Sequence, residues 1–276
     1  MINKLNLIMR LSLNRKLGYK ELINSVTGDL VVLGMKNTGK TTLLMNLART
    51  LRAEPNNRII IFETFPKWVH EFDNIPYCFI TDDDLVKVKG GKEYAINDKQ
   101  RIIDILSTNK DIIFSIECLD MEMISTFMSF VIYLIYRKQY KRAKANQLNS
   151  IDENYWFLTE EAHNLLDSTV IAKKVFNKLR KMQNEFRNLK MHLICVTLRL
   201  QDLNPKIRAK MDMLLGRISL DDYQLKVRNL LRDSKFRRVI IHLPIGTFVY
   251  PEDDIVLQTT PFKQIGKPYE IDIKKT

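Results

Sequence analysis

The octapeptide GMKNTGKT, residues 34–41, constrains this chain more than any other feature. It fits the pattern GxxxxGK[ST] and sits between a short apolar run, DLVVL (29–33), and a stretch of helical spacing, KTTLLMNLARTL (40–51). Strand, loop and helix in that order are the context the pattern requires. Gly34 and Gly39 let the backbone turn sharply, so that successive N–H groups face inward toward an anion. Lys40 then reaches the β- and γ-phosphates of a nucleotide, Thr41 ligates Mg²⁺, and the following helix points its positive end at the same charge. The expected cradle for ATP and Mg²⁺ is Gly34, Met35, Lys36, Asn37, Thr38, Gly39, Lys40, Thr41 and Thr42.

A phosphate loop needs a sheet to hang from, and the rest of the chain supplies one. Apolar runs at RIIIFETF (58–65), PYCFITDD (76–83), KDIIFSIE (110–117), YWFLTE (155–160) and MHLICVTL (191–198) read as strands. Helical spacing separates them at 98–108, 121–147 and 168–189. MLLGRIS, RRVIIHL and TFVYPEDDIVLQTT supply shorter strands around one more helix at 221–231. The polar stretch DDDLVKVKGGKEYAIND (82–98) reads as a surface hairpin or loop. Strands alternating with helices, nearly continuous in apolar residues, predict an α/β fold: a mostly parallel central sheet with helices on both faces. With no internal repeat and no clear linker, the expected organisation is one ATPase domain over 28–276 behind an N-terminal extension, 1–27.

The length of 276 residues and a hydrophobic fraction of 45% are enough for a sizeable core. The net charge of +12 predicts a polyanionic partner, nucleic acid or an acidic membrane surface. Cys78, Cys118 and Cys195 lie far apart with no metal-ligand spacing, which suits reduced thiols in a cytoplasmic setting. The greasiest run, MISTFMSFVIYLIY (123–136), is too short to span a bilayer of ~30 Å as a helix, so membrane insertion is not expected.

A second feature is WFLTEEAHNLL (156–166), a greasy run that ends in two adjacent carboxylates, Glu160 and Glu161. Burying one unpaired carboxylate costs roughly several kcal/mol, and two cost more. A bound Mg²⁺–nucleotide explains the pair: Glu160 holds the metal, directly or through its waters, and Glu161 orients and deprotonates the attacking water. The competing account is a solvated helix N-terminus, where acids are favoured anyway. His163 lacks the HExxH spacing of a metal site and is expected to cap or orient the glutamates.

FLTEEAH resembles the hydrophobic–acid–Glu–Ala–His signature of the FtsK–HerA superfamily of P-loop ATPases. FRNLKMHLICVTLRLQDL (186–203) is similar to that superfamily's arginine-containing approach to a core strand, and LPIGTFVY to its final strands. The resemblance covers about residues 28–260 and implies a RecA-like P-loop NTPase fold. It implies that Arg187 reaches a neighbouring subunit's nucleotide, and that Thr197 and Arg199 mark the end of the core strand. Arg187 also suits a simpler role, as a cation complementing a helix C-terminus. Where the family usually keeps a Gln sensor this chain has Leu198, so Thr197 is the candidate that couples hydrolysis to movement. Glu160 stands in place of the more usual Asp. An arginine acting across subunits implies a ring, commonly a hexamer, because placing charge on the transferring group accelerates phosphoryl transfer by ~10³-fold or more.

Three basic groups stand beside this core: Lys173, Lys174, Lys178, Arg180 and Lys181; RKQYKRAK (137–144); and Arg228, Arg232, Lys235, Arg237 and Arg238. Together they suit double-stranded DNA bound through its backbone without reading sequence. The expectation is an ATP-hydrolysing DNA translocase with a minimal core, resembling viral genome-packaging ATPases. A capsid or portal-vertex protein is the further partner this implies, and host cytoplasm or the virion its place. Two alternatives stay open: a HerA-like DNA-end-processing or plasmid-transfer ATPase, and a nucleotide-gated scaffold with little turnover.

Overall fold

Strands buried on both faces must be covered on both faces, and this chain has several. In chain order the strands are β1 (Asp29–Leu33), β2 (Asn57–Glu63), β3 (Tyr77–Thr81), β4 (Val86–Val88), β5 (Lys92–Ala95), β6 (Ile112–Ser115), β7 (Asn154–Thr159), β8 (Met191–Thr197), β9 (Met211–Leu215), β10 (Thr247–Tyr250), β11 (Ile255–Gln258) and β12 (Ile271–Ile273). Among the described residues four α-helices accompany them: α1 (Tyr19–Ser25), α2 (Lys40–Arg52), α3 (Lys99–Thr108) and α4 (Met121–Lys144). Every residue of β1, β3 and β6 is buried. The computed structural model describes residues 18–26, 28–64, 68, 72, 74–81, 86–88, 92–95, 98–117, 119–145, 152–161, 179–199, 203–205, 209–219, 240–252, 255–259 and 271–273.

Ten strands form one sheet in the order β11-β10-β9-β1-β8-β7-β2-β6-β3-β5. All pairings from β9 through to β5 are parallel; β10 runs antiparallel to both β9 and β11 and closes that end as a hairpin. The fold is thus the RecA-like, mostly parallel α/β sheet with helices on both faces.

The two faces follow from the period of two along each strand. Leu30, Val32, Ile59, Ile61, Trp156, Leu158, Ile194 and Val196 pack with Leu43, Leu44, Leu47 and Leu51 of α2. The alternate residues Val31, Ile60, Phe62, Phe157, Leu193 and Cys195 face the other way, against Phe127, Val131 and Ile135 of α4. Leu179, Met182 and Phe186, whose spacing predicts a buried stripe, join that second core. A ring cluster anchors it: Phe127 meets Phe114 edge-on at 5.2 Å between centroids and Phe62 at 6.4 Å. Truncating Phe127 to alanine there costs about 3–5 kcal/mol.

The apolar run within 123–136 belongs to α4, capped by Asp120, whose carboxylate accepts the Met123 N–H at 2.8 Å. Among the described residues no helix is long and apolar enough to cross a membrane. Helix α1 docks on the domain: Leu22 is fully buried, and the Tyr19 hydroxyl accepts a hydrogen bond from Asn46 of α2 at 2.9 Å. Cys78 and Cys195 are buried and form no disulfide; Cys118 lies outside the described residues.

Two local expectations differ from the structure. The 82–98 stretch is not a hairpin, because β5 adds to the main sheet beside β3 while β4 pairs antiparallel with β12. The described part of RRVIIHL is not a strand: Ile240–His242 is a 3-10 turn whose Ile240 is buried with Leu243 in a small core at the β9–β10 end. Apolar runs of this length suit either state, and packing decides between them. The long helix ends at Lys144 rather than 147. Of the expected helix 168–189, residues 179–189 are described: 179–183 are helical and Arg187–Leu189 form a 3-10 turn. His163, the helix at 221–231 and the basic group from Arg228 to Arg238 lie outside the described residues, as do Lys173, Lys174 and Lys178.

Candidate nucleotide site

The carboxyl end of a parallel sheet is where an α/β protein gathers ligand-binding groups. Here β1 emerges between β8 and β9, and its loop is pinned to both. Gly34 N–H donates to the Thr197 carbonyl at 3.4 Å, and Met35 N–H to the Arg217 carbonyl at 2.8 Å. Gly216 N–H returns a bond to the Leu33 carbonyl at 2.8 Å.

Inside the loop the glycines are required by space and by backbone angle. A Cβ on Gly34 would lie 2.8 Å from the Thr38 hydroxyl, which donates to the Met35 carbonyl at 2.9 Å. Gly39 has φ +91°, a left-handed conformation, and opens α2 as its N-cap. Asn37, also left-handed at φ 61°, forms the exposed crown with Met35 and Lys36. Thr41 and Thr42 are half-buried in the first turn of the 13-residue helix α2.

Lys40 turns back into this loop. Its buried amine donates to the carbonyls of Gly34 at 2.8 Å and Met35 at 2.7 Å. Burial pushes the amine's pKa down to about 8, against the opposing pull of Glu161 and then of Glu160. Both glutamates therefore lie within electrostatic reach of Lys40. The topology explains how: only β8 separates β1 from β7, whose last residue, Thr159, runs straight into Glu160. Glu160 is buried and Glu161 half-buried.

Thr197 ends β8 between the two halves of the site. Its hydroxyl donates to the Arg199 carbonyl at 3.0 Å and accepts the Arg199 N–H at 3.4 Å, so the side chain is held in a local turn. Leu198 is 44% exposed beside it. Arg187 is elsewhere. It is exposed in the 3-10 turn before β8, at the opposite edge of the sheet, about the length of β8 away, roughly 20 Å at 3.3 Å per residue. The fold thus brings together Lys40, Thr41, Glu160, Glu161 and Thr197, and keeps Arg187 apart from them.

Sequence reasoning missed two groups that shape the site. Gly246, with φ +78°, sits against the loop: its N–H donates to the Thr38 carbonyl at 2.9 Å, and a Cβ on Gly39 would come within 3.3 Å of its Cα. The only local signal was a Gly after Pro-Ile in LPIGTFVY, which marks a turn without saying what it touches. Glu63 is the second. It ends β2 beside β7, is fully buried, and accepts the Trp68 N–H at 2.6 Å and the Tyr77 hydroxyl at 2.8 Å. No motif surrounds it.

The residues fit a magnesium nucleotide. The Gly34 cradle has no room for a side chain, a helix N-terminus faces it, and the nearby donors are a hydroxyl and carboxylates, the hard oxygens Mg²⁺ takes.

No protein-family model and no curated protein sequence matches this chain. Solved structures do resemble it. The genome packaging NTPase B204 from Sulfolobus turreted icosahedral virus 2, in complex with ATPγS, matches with a TM-score of 0.53 and 14% identity, over 86% of this chain and 99% of that one. VirB4 of Thermoanaerobacter pseudethanolicus matches with a TM-score of 0.58 and 12% identity, over 85% and 90%. The bacterial conjugative coupling protein TrwB matches with a TM-score of 0.55 and 12% identity, over 86% of each chain. These likenesses are of fold: this chain is built on the RecA-like α/β architecture shared by these proteins.

Proposed function

We propose that the chain is an ATP-hydrolysing DNA translocase, and that its cargo is a viral double-stranded DNA genome. The observation that carries this is the placement of Lys40 within reach of Glu161 and Glu160 across the end of β8. Lys40 and the backbone N–H groups of 35–40 would hold the phosphates, while Thr41 and Glu160 would hold the metal. Mg²⁺, when bound, would neutralise charge on the β- and γ-phosphates. Glu161 would orient a water and take its proton. Thr197, already bonded to Gly34 through its carbonyl, would couple the phosphate loop to β8. Residues 28–276 would form the ATPase unit, with α1 of the preceding segment docked on it.

Arg187 is exposed and far from its own chain's loop, so its service would be to a neighbouring subunit in a ring, commonly a hexamer. The likeness to B204, described as a viral genome packaging NTPase, supports packaging; those to VirB4 and TrwB support a plasmid-transfer ATPase as the second reading. A scaffold with little turnover is the third, favoured by Leu198 standing where a polar sensor would be.

The test is steady-state ATP hydrolysis with and without duplex DNA, in a salt series. A motor shows stimulation by duplex that collapses between 50 and 200 mM salt, the signature of roughly six or more phosphate contacts. Equal turnover with and without DNA at low salt contradicts the motor, and negligible turnover in both arms supports the scaffold.

A further inference from the structure

The second half of α4 carries a surface that the nucleotide site does not use. Tyr133, Tyr136, Arg137, Tyr140, Lys141 and Lys144 follow one another at helical spacing and line a shallow groove of about 580 Å³. The rings of Tyr136 and Tyr140 stack at 5.7 Å between centroids and 23° between planes. The Tyr136 hydroxyl is held by the Glu185 carboxylate at 2.5 Å, which fixes that ring. Tyr140 is 45% exposed, and the Arg137 guanidinium lies 5.9 Å from the centre of the Tyr133 ring.

The cations here differ from their neighbours on the same helix. Lys138 and Arg142 point toward β7 and meet Glu153, at 3.6 and 3.1 Å. Arg137, Lys141 and Lys144 are exposed, and among the described residues no carboxylate pairs with them. The groove therefore presents three uncompensated cations beside a fixed aromatic pair. It also lies at the far edge of the sheet from Lys40, since Gln139, in the same stretch of helix, donates to the carbonyls of Glu153, before β7, and Leu189, before β8.

We propose that this face of α4 binds single-stranded nucleic acid, with an unpaired base stacking on Tyr140 and phosphates on Arg137, Lys141 and Lys144. Cations alone serve any polyanion. Exposed, pre-stacked rings add affinity only for a partner that offers flat faces of its own, and a duplex hides its base faces. An acidic protein surface would use the lysines and leave the ring pair idle. The proposal does not depend on nucleotide hydrolysis, because the groove and the phosphate loop occupy opposite edges.

The experiment is fluorescence anisotropy of a labelled thirty-residue oligothymidine and of a thirty-base-pair duplex, with the full chain and no nucleotide present. The wild type binds the single strand more tightly than the duplex. Tyr140→Ala weakens single-strand binding about fivefold or more while leaving duplex binding within about twofold, and Tyr140→Phe keeps the affinity because the ring remains. The triple variant Arg137→Gln, Lys141→Gln, Lys144→Gln lowers the single-strand salt slope by about 2, at about 0.7 per phosphate contact.

Several results would overturn the idea. Duplex bound as tightly as the single strand, with Tyr140→Ala silent, leaves a backbone-only patch. Polyglutamate competing as well as oligothymidine points to an acidic protein. A change of oligomeric state in Tyr140→Ala assigns the face to contact between copies. Because Lys40→Ala should bind oligothymidine normally, failure of the ATPase proposal and failure of this one remain distinguishable.

Discussion

The two edges of the sheet use the same residue types for opposite purposes. At the amino edge Asp111, Glu153 and Asp29, each at a strand start, are matched. Asp111 accepts from Arg52 at 3.0 Å and from the Ile59 N–H at 3.1 Å. Glu153 gathers Arg58, Lys138 and Arg142. Asp29 accepts from Gln183 at 2.7 Å and the Leu193 N–H at 2.8 Å. At the carboxyl edge Glu160 and Glu161 face a lysine whose amine is tied to backbone carbonyls and whose affinity for its proton is reduced by burial. The first arrangement is locked, and its worth is in folding. The second holds charge in a form that an incoming polyanion and cation can reorganise.

The largest effect expected is at the second edge. Glu161→Gln should cut ATP turnover by about 10²–10⁴, the usual contribution of a general base, with nucleotide still bound. Lys40→Ala should weaken nucleotide binding by about a hundredfold or more in a titration calorimeter, and it should raise the melting temperature of the empty protein, since a buried amine with a lowered pKa is a cost to the empty fold. If Lys40→Ala melts lower than wild type, Lys40 is structural and the contrast between the edges fails.

At the first edge, Glu153→Ala leaves three cations facing one another and should lose about 1–3 kcal/mol in urea unfolding, with ATP turnover unchanged. Asp29 sharpens the comparison further. Burial pushes its pKa up to about 6 from an ordinary 3.8, despite bonds from Gln183 and Leu193 that pull it down. The folded protein then holds a proton that the unfolded chain releases between those values, so this group's contribution to stability falls as pH rises from about 4 to about 6. Asp29→Asn should flatten that stretch of the stability profile and gain about 1–3 kcal/mol at pH 7.

The smallest effect is in pH. Affinity for nucleotide should begin to fall as pH climbs past about 8, where Lys40 loses its charge in the empty protein, and a flat profile to pH 9 would place that amine in a different setting.

What could be read from the sequence was local. GMKNTGKT carries its own geometry, and EEAH stands at the end of a run that has to be a strand, so Lys40, Thr41, Glu160 and Glu161 were accessible before any coordinates. The strand order that joins them is not legible there, because parallel pairing joins residues far apart in sequence; nothing in 34–41 states that β8 alone separates it from β7. Gly246 was hidden for the same reason: it lies some 200 residues from the Thr38 carbonyl it bonds. The short pieces failed where packing outranks local preference. VKV and KEYA look like two arms of a hairpin until each finds a different partner strand, and Ile240 and Ile241 of RRVIIHL are claimed by a small core at the sheet's end.

The most direct test of the nucleotide site is a structure of the complex with Mg²⁺ and a non-hydrolysable ATP analogue. The account predicts the γ-phosphate against the Lys40 amine, the metal about 2.1 Å from the Thr41 hydroxyl with Glu160 in or just outside its coordination shell, and Glu161 facing the phosphate. A nucleotide bound away from the 34–41 loop, or Glu161 turned to the opposite side with the loop filled, would contradict it.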